Sequence, residues 1–173
     1  MSTLASPPPT TGLAALIGRL AGRIAALGTG PRAELRRLRA DAADRWRSAA
    51  FYRIYADCIA PEHTGEDEHQ RRWAMILAGL AHLDHQGGRN PGTTLAENGF
   101  AERRLVRLLD ADPDHLATDL RAAVAFLASK GASVNWIDLA DLVLSCGGER
   151  HDAVRRRFAA AYYRTLSNLT KKA

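Results

Sequence analysis

The stretch Ala101-Glu-Arg-Arg-Leu-Val-Arg-Leu-Leu109 decides the fold of this chain. At 100° per residue it gathers its apolar residues into one helical stripe and turns Arg103 and Arg107 away from that stripe. Similar helical periods recur along the chain, and no run alternates apolar and polar residues as a strand does. The sequence therefore predicts an all-α fold of two packed helical bundles, with about eight helices.

Changes in composition predict how the chain is organised. The proline-rich residues 1–12 are expected to form a disordered N-terminal tail. Residues 13–86 are expected to form an N-terminal helical lobe. The glycine-rich segment 87–99 carries turn-forming residues and predicts a loop that connects the lobes. Residues 100–170 are expected to form a C-terminal helical lobe.

The composition favours an acidic partner and argues against a membrane or secreted protein. The 173 residues carry a net charge of +5, and 21 of the 24 basic residues are arginine, which grips phosphate with a planar fork. A high-GC genome, which prefers arginine codons, would produce the same bias. No run of 18 apolar residues exists, so no membrane span is expected. Cys58 and Cys146 lie far apart, which favours free thiols in the cytoplasm.

Arginines recur on the polar side of the predicted helices without acidic residues at the i+4 positions. A surface of this kind is typical of proteins that hold a polyanion. An alternative is that these side chains are simply solvated. The candidates for phosphate contact from the residues alone are Arg32, Arg36, Arg89, Arg103, Arg107, Arg150, Arg157 and Arg164.

The sequence contains no pattern that predicts a catalytic site, and no cofactor is expected. His82 and His85 are spaced to meet one metal ion on a helix, but no third ligand follows at a defined spacing. We therefore expect no metal. Most aromatic residues fall at core positions, and Tyr163, which adjoins Arg164, is the one candidate for stacking on a base.

Several segments, in a fixed order, resemble the CasB family, the small subunit of the type I-E CRISPR complex Cascade. The segments are Gly30–Arg37, Ala50–Arg53, His85–Gln86, Glu102–Leu109, Val134–Ala140 and Phe158–Arg164. The resemblance implies a two-lobed, non-catalytic, cytoplasmic protein of antiviral defence. By residue-wise match it adds Arg37, Arg104 and Arg121 to the candidates for nucleic-acid binding and supports Arg36, Arg103 and Arg150.

The resemblance also implies a set of partners. They are the guide RNA–DNA hybrid, the displaced single-stranded DNA, a second copy of the chain, and the backbone and large subunits of Cascade. In such a complex base pairing supplies sequence specificity, so a subunit that tracks phosphates suffices.

Two other classes of function stay open from the sequence. A helix-turn-helix DNA-binding regulator could use residues 133–146 or 150–164, although Asp138 and Asp141 are unsuited to a major groove. A metal-dependent helical hydrolase would rest on His82 and His85 alone.

Overall fold

The computed structural model describes residues 10–40, 45–59 and 67–172. Within these residues nine α-helices follow one another, with a single 3-10 turn at Arg45–Arg47. The helices are α1 (Thr10–Ala25), α2 (Thr29–Arg37), α3 (Ala49–Cys58), α4 (Asp67–His82), α5 (Pro91–Glu97), α6 (Glu102–Asp110), α7 (Leu116–Ser129), α8 (Trp136–Ser145) and α9 (His151–Lys172). The only β-type pairing in this part of the chain is one bridge between His85 and Val134. The predicted all-α fold is confirmed.

Local side-chain caps explain where two of these helices begin. Ser48 precedes α3, and its hydroxyl oxygen accepts a hydrogen bond from the backbone N–H of Phe51 at 3.2 Å. Asn135 precedes α8 and accepts from the N–H of Ile137 at 3.0 Å. Each cap satisfies a backbone donor that has no partner within its helix.

Helix α4 lies at the centre of the molecule. It packs against α1, α2 and α3 and also against α7 and α8. The fully buried indole of Trp136 in α8 lies directly on Gly79 of α4, where an added Cβ would come within 2.0 Å of the ring. The indole N–H donates to the carbonyl oxygen of Leu83 at 2.8 Å. Glycine is therefore required at this helix crossing.

The prediction that residues 87–99 form a connecting loop is wrong for their middle part, because Pro91–Glu97 form α5. Asn90 caps this helix by accepting from the N–H of Gly92 at 2.8 Å. Pro91 occupies the first turn, where its missing N–H costs nothing. Gly92 lets α5 approach α9, since a Cβ there would come within 2.3 Å of the Phe158 carbonyl oxygen.

One predicted boundary near the N-terminus also changes. Helix α1 begins at Thr10, inside the segment 1–12 predicted to be disordered, and residues 1–9 lie outside the described part of the chain. Helix α2 ends at Arg37 because the buried Leu38 adopts an extended conformation. The division of the chain into two lobes stays a prediction.

Candidate nucleic-acid interface

The first group of predicted arginines lies where α2 meets the C-terminal end of α4. The Nε atoms of Arg32 and Arg36 donate to the same carbonyl oxygen, that of Ala81, at 3.2 and 2.7 Å. Arg32 also reaches the Asp84 carboxylate at 3.2 Å. A helix C-terminus carries carbonyl groups without partners and a partial negative charge, so both arginines stabilise α4 there.

Arg36 also borders a groove of about 240 Å³ between α2, α4 and α7. Arg121 of α7 crosses this groove and donates to the carbonyl oxygen of Leu38 at 2.9 Å. The polar residues that line the groove are Arg36, Arg39, His82, Asp114, Thr118 and Arg121. Cationic groups outnumber the one carboxylate, which also lies 3.5 Å from Arg71. The groove is therefore positively charged at neutral pH.

A second group lies on α6. Arg103 and Arg104 are exposed, and neither makes a hydrogen bond or ion pair within the described residues. Arg107 points away from the apolar stripe, as predicted, but its Nε lies 2.6 Å from the buried Asp119 carboxylate of α7. The first two side chains keep all their donors open to a ligand, whereas Arg107 also joins two helices.

A third group lies on α8 and α9 around one buried carboxylate. Asp141 accepts hydrogen bonds from Arg150 at 2.8 Å and from Arg157 at 2.9 Å, and both arginines are about half exposed. Burial raises the pKa of the neighbouring Asp138 carboxyl. Two guanidinium groups thus share one carboxylate, which orients them.

The remaining predicted arginines are Arg37, Arg89 and Arg164. Arg37 is exposed and donates to the carbonyl oxygen of Ala33, one turn earlier in α2. Arg89 is paired with Glu97 of α5. Arg164 is exposed near the C-terminal end of α9 and has no hydrogen bond or ion pair in the described structure.

The sequence reasoning missed three further arginines of the same kind. Arg19, Arg53 and Arg156 are exposed on α1, α3 and α9 and make no hydrogen bond or ion pair within the residues described. The sequence could have identified them, because the helical period places each one on the side of its helix opposite the buried apolar residues.

The groups considered for metal binding do not converge. His82 Nε2 lies 3.1 Å from the carbonyl oxygen of Arg36, whereas His85 Nδ1 accepts from the backbone N–H of Trp136 at 3.1 Å. The two imidazoles thus bind different segments. In the described ranges, no group of three or more His, Cys, Asp or Glu side chains is arranged to hold a metal ion.

One serine–histidine pair has the spacing of a nucleophile and its base. Ser145 Oγ lies 3.2 Å from His151 Nδ1. Both side chains are buried, and His151 Nε2 has no hydrogen-bond partner in the described structure. Burial also lowers the pKa of His151 and raises that of the Cys146 thiol. A catalytic triad needs a third group on the imidazole and access for substrate, and this pair has neither.

No described helix has both the length and the apolar character that a bilayer crossing requires.

Comparisons with known proteins agree on one family. The family model described as CRISPR-associated protein Cse2 matches residues 31–163. No curated protein matches the chain. A chain of a CRISPR RNA-guided surveillance complex is similar in structure, with 25% identity, a TM-score of 0.73, and coverage of 94% of this chain and 98% of that chain.

Two further solved structures have the same fold. CasB from Thermus thermophilus is 30% identical, with a TM-score of 0.66 over 91% of this chain and 99% of that one. A chain of E. coli Cascade bound to a PAM-containing double-stranded DNA target is 22% identical, with a TM-score of 0.68 over 87% and 96%. The resemblance read from the sequence is confirmed.

Proposed function

This chain belongs to the CRISPR-associated protein Cse2 family, and on that premise we propose that it is a non-catalytic, nucleic-acid-binding subunit of an RNA-guided CRISPR surveillance complex. The structural likeness to chains of such complexes supports this assignment. Within the complex the subunit contacts a second copy of itself and the backbone and large subunits.

The observation that carries the proposal is the set of exposed arginines that the protein itself leaves without a partner. Arg103, Arg104 and Arg164 have every guanidinium donor open. An arginine fork binds two phosphate oxygens at once, so each of these side chains can hold a nucleic-acid backbone. Phosphate contacts carry no sequence information, which suits a complex in which guide pairing reads the target.

The anchored arginines have a second role in the same proposal. Arg36 and Arg121 each bind a backbone carbonyl through one nitrogen, so the rest of each guanidinium is held in place at the groove. Arg150 and Arg157 are similarly fixed by Asp141. A side chain that is already ordered loses less entropy when it binds phosphate. These residues grip the target strand of the RNA–DNA hybrid and the displaced strand and so stabilise the open R-loop.

The two competing functions have less support. Most of α8 is buried and none of its residues is fully exposed, so it has no face that could enter a major groove. A hydrolase would need an accessible nucleophile or metal ligands that converge. Ser145 is buried, and His82 and His85 bind different segments.

The proposal is tested by titrating the purified chain with three duplexes of unrelated sequence between low and physiological salt. We expect weak binding of similar strength for all three, with log K falling by about 0.9 per phosphate contact for each unit of log salt. A variant that combines Arg103→Ala, Arg104→Ala and Arg164→Ala should have a shallower slope. The matched variant with lysine at the same three positions should keep the slope of the wild type. A hundredfold preference for one duplex would instead identify a base-reading regulator.

A further inference from the structure

Tyr163 stands out on α9 because its ring is open to solvent. Its residue exposure is 40%, whereas the other aromatic side chains that the structure describes are buried or half-buried. Tyrosine normally buries its ring and leaves only the hydroxyl wet. Packing within this chain therefore does not explain why the Tyr163 ring is exposed.

The ring is nevertheless held in one position. Its hydroxyl donates to Glu102 Oε1 of α6 at 2.8 Å. The neighbouring ring of Tyr162 meets it edge to face, with 5.4 Å between centroids and 86° between planes. Tyr162 is itself buried and donates to the carbonyl oxygen of Phe100. The hydrogen bond to Glu102 also raises the pKa of the Tyr163 hydroxyl, so the phenol stays neutral.

The charged residues next to this contact along α6 and α9 are mostly positive. Arg103 and Arg104 directly follow Glu102 in α6, and Arg164 follows Tyr163 in α9. Arg156 lies two turns earlier on the same face of α9, about 10 Å away along the helix axis. None of these four arginines has an ion pair within the described residues. Four arginines without an ion pair among the described residues thus lie on the two helices that meet at the ring, with Glu102 as the acid in contact with it.

We propose that Tyr163 is a stacking site for an unpaired base of a nucleic-acid strand whose phosphates lie on the arginines beside it. The inference rests on the proposed function and deepens it, because phosphate contacts alone do not distinguish a single strand from a duplex. A base offers its face to an aromatic ring only when it is unstacked, and such stacking tolerates any sequence. The surface formed by α6 and α9 therefore prefers single-stranded to double-stranded nucleic acid.

An apolar partner protein is the competing occupant, since Val106 of α6 is also 45% exposed. The four unpaired arginines favour a polyanion over such a partner. The two occupants differ in one testable respect. A base needs the aromatic face of Tyr163, whereas an apolar contact would accept leucine at the same position.

The test compares two DNA single strands of equal length, one with thymine bases and one with a run of abasic sites in its middle. Both carry the same phosphates, so a difference in affinity reports the bases. We expect the full chain to bind the thymine strand about tenfold more tightly. Tyr163→Phe should keep this preference, and Tyr163→Leu should abolish it. Leu169→Ala, at another exposed apolar position of α9, is the matched control.

A second measurement does not depend on any variant being folded. A single 2-aminopurine in the strand should lose fluorescence when it stacks on the wild-type protein. Equal, salt-dependent binding of both strands would overturn the stacking site and leave the proposed function standing. A preference retained by Tyr163→Leu would also overturn it, and would point to an apolar contact. Failure to bind either strand would remove the proposed function as well.

Discussion

The guanidinium of Arg107 lies 2.6 Å from the carboxylate of Asp119 and joins α6 to α7. The Arg107 side chain is 64% exposed, whereas that of Asp119 is only 8% exposed. Arg107 is therefore both a candidate phosphate contact and the partner of a buried charge. Its replacement is expected to lower stability, which sets it apart from Arg103 and Arg104 on the same helix.

Arg107→Ala should lower the free energy of unfolding by about 1–3 kcal/mol, because it leaves the buried Asp119 carboxylate without its partner. Arg103→Ala is the matched control on the same helix and should change stability by less than about 0.5 kcal/mol. Urea unfolding of both variants measures the difference. Equal stability of the two would mean that the pair with Asp119 contributes nothing.

Gly92→Ala should destabilise the protein by about 1–3 kcal/mol, the usual cost of forcing extra volume into a packed contact. The added methyl would collide with the backbone of α9 at Phe158 and push α5 away. Gly87→Ala serves as the control, since nothing lies within 4 Å of its Cβ position. Thermal melting of both variants checks this, and a Gly92 variant as stable as the Gly87 variant would contradict the close packing.

Acidification should destabilise the protein partly through His85. Burial lowers the pKa of this imidazole below its ordinary 6.5, and its neutral ring accepts the N–H of Trp136. In the unfolded chain the pKa returns to 6.5, so the unfolded state binds more protons as the pH falls below that value. The stabilisation is complete above about pH 6.5 and is lost as pH falls through the lower folded value.

His85→Asn should make this loss shallower, because the amide oxygen can accept the same hydrogen bond and does not titrate. Urea unfolding at pH 7.5 and pH 5.5 gives the comparison. The pKa of His151 is also lowered by burial, so part of the pH dependence should remain. An unchanged pH dependence in the variant would show that His85 does not contribute.

The sequence predicted the helices well where the apolar repeat continues over several helical turns. The stripe of α6 and the exposure of Arg103 and Arg107 follow from 100° steps along one helix. Partners between helices could not be predicted in this way. The acid that binds Arg107 is 12 residues away on α7, and the carbonyl that binds Arg36 is 45 residues away on α4. Sequence periodicity carries no information on such distances.

Helix α5 shows a second limit of the sequence reasoning. Pro91 and Gly92 are turn-forming residues in most contexts, and they predicted a loop. In the structure Pro91 begins a helix, and Gly92 provides room for α9. Whether Pro91 and Gly92 form a turn or a helix depends on the packing of α9 beside them, and only the tertiary structure shows that packing.

Under the proposed function, exposed arginines of this chain hold the nucleic acid opened by a guide RNA. The most direct measurement is the rate at which target DNA leaves the assembled surveillance complex, determined for several guides. With Arg103, Arg104 and Arg164 all replaced by alanine, the chain should fold and assemble normally. Target DNA should then leave faster by a similar factor for every guide, and the salt dependence of the rate should be weaker. Target retention equal to that of the wild type at physiological salt would contradict the account.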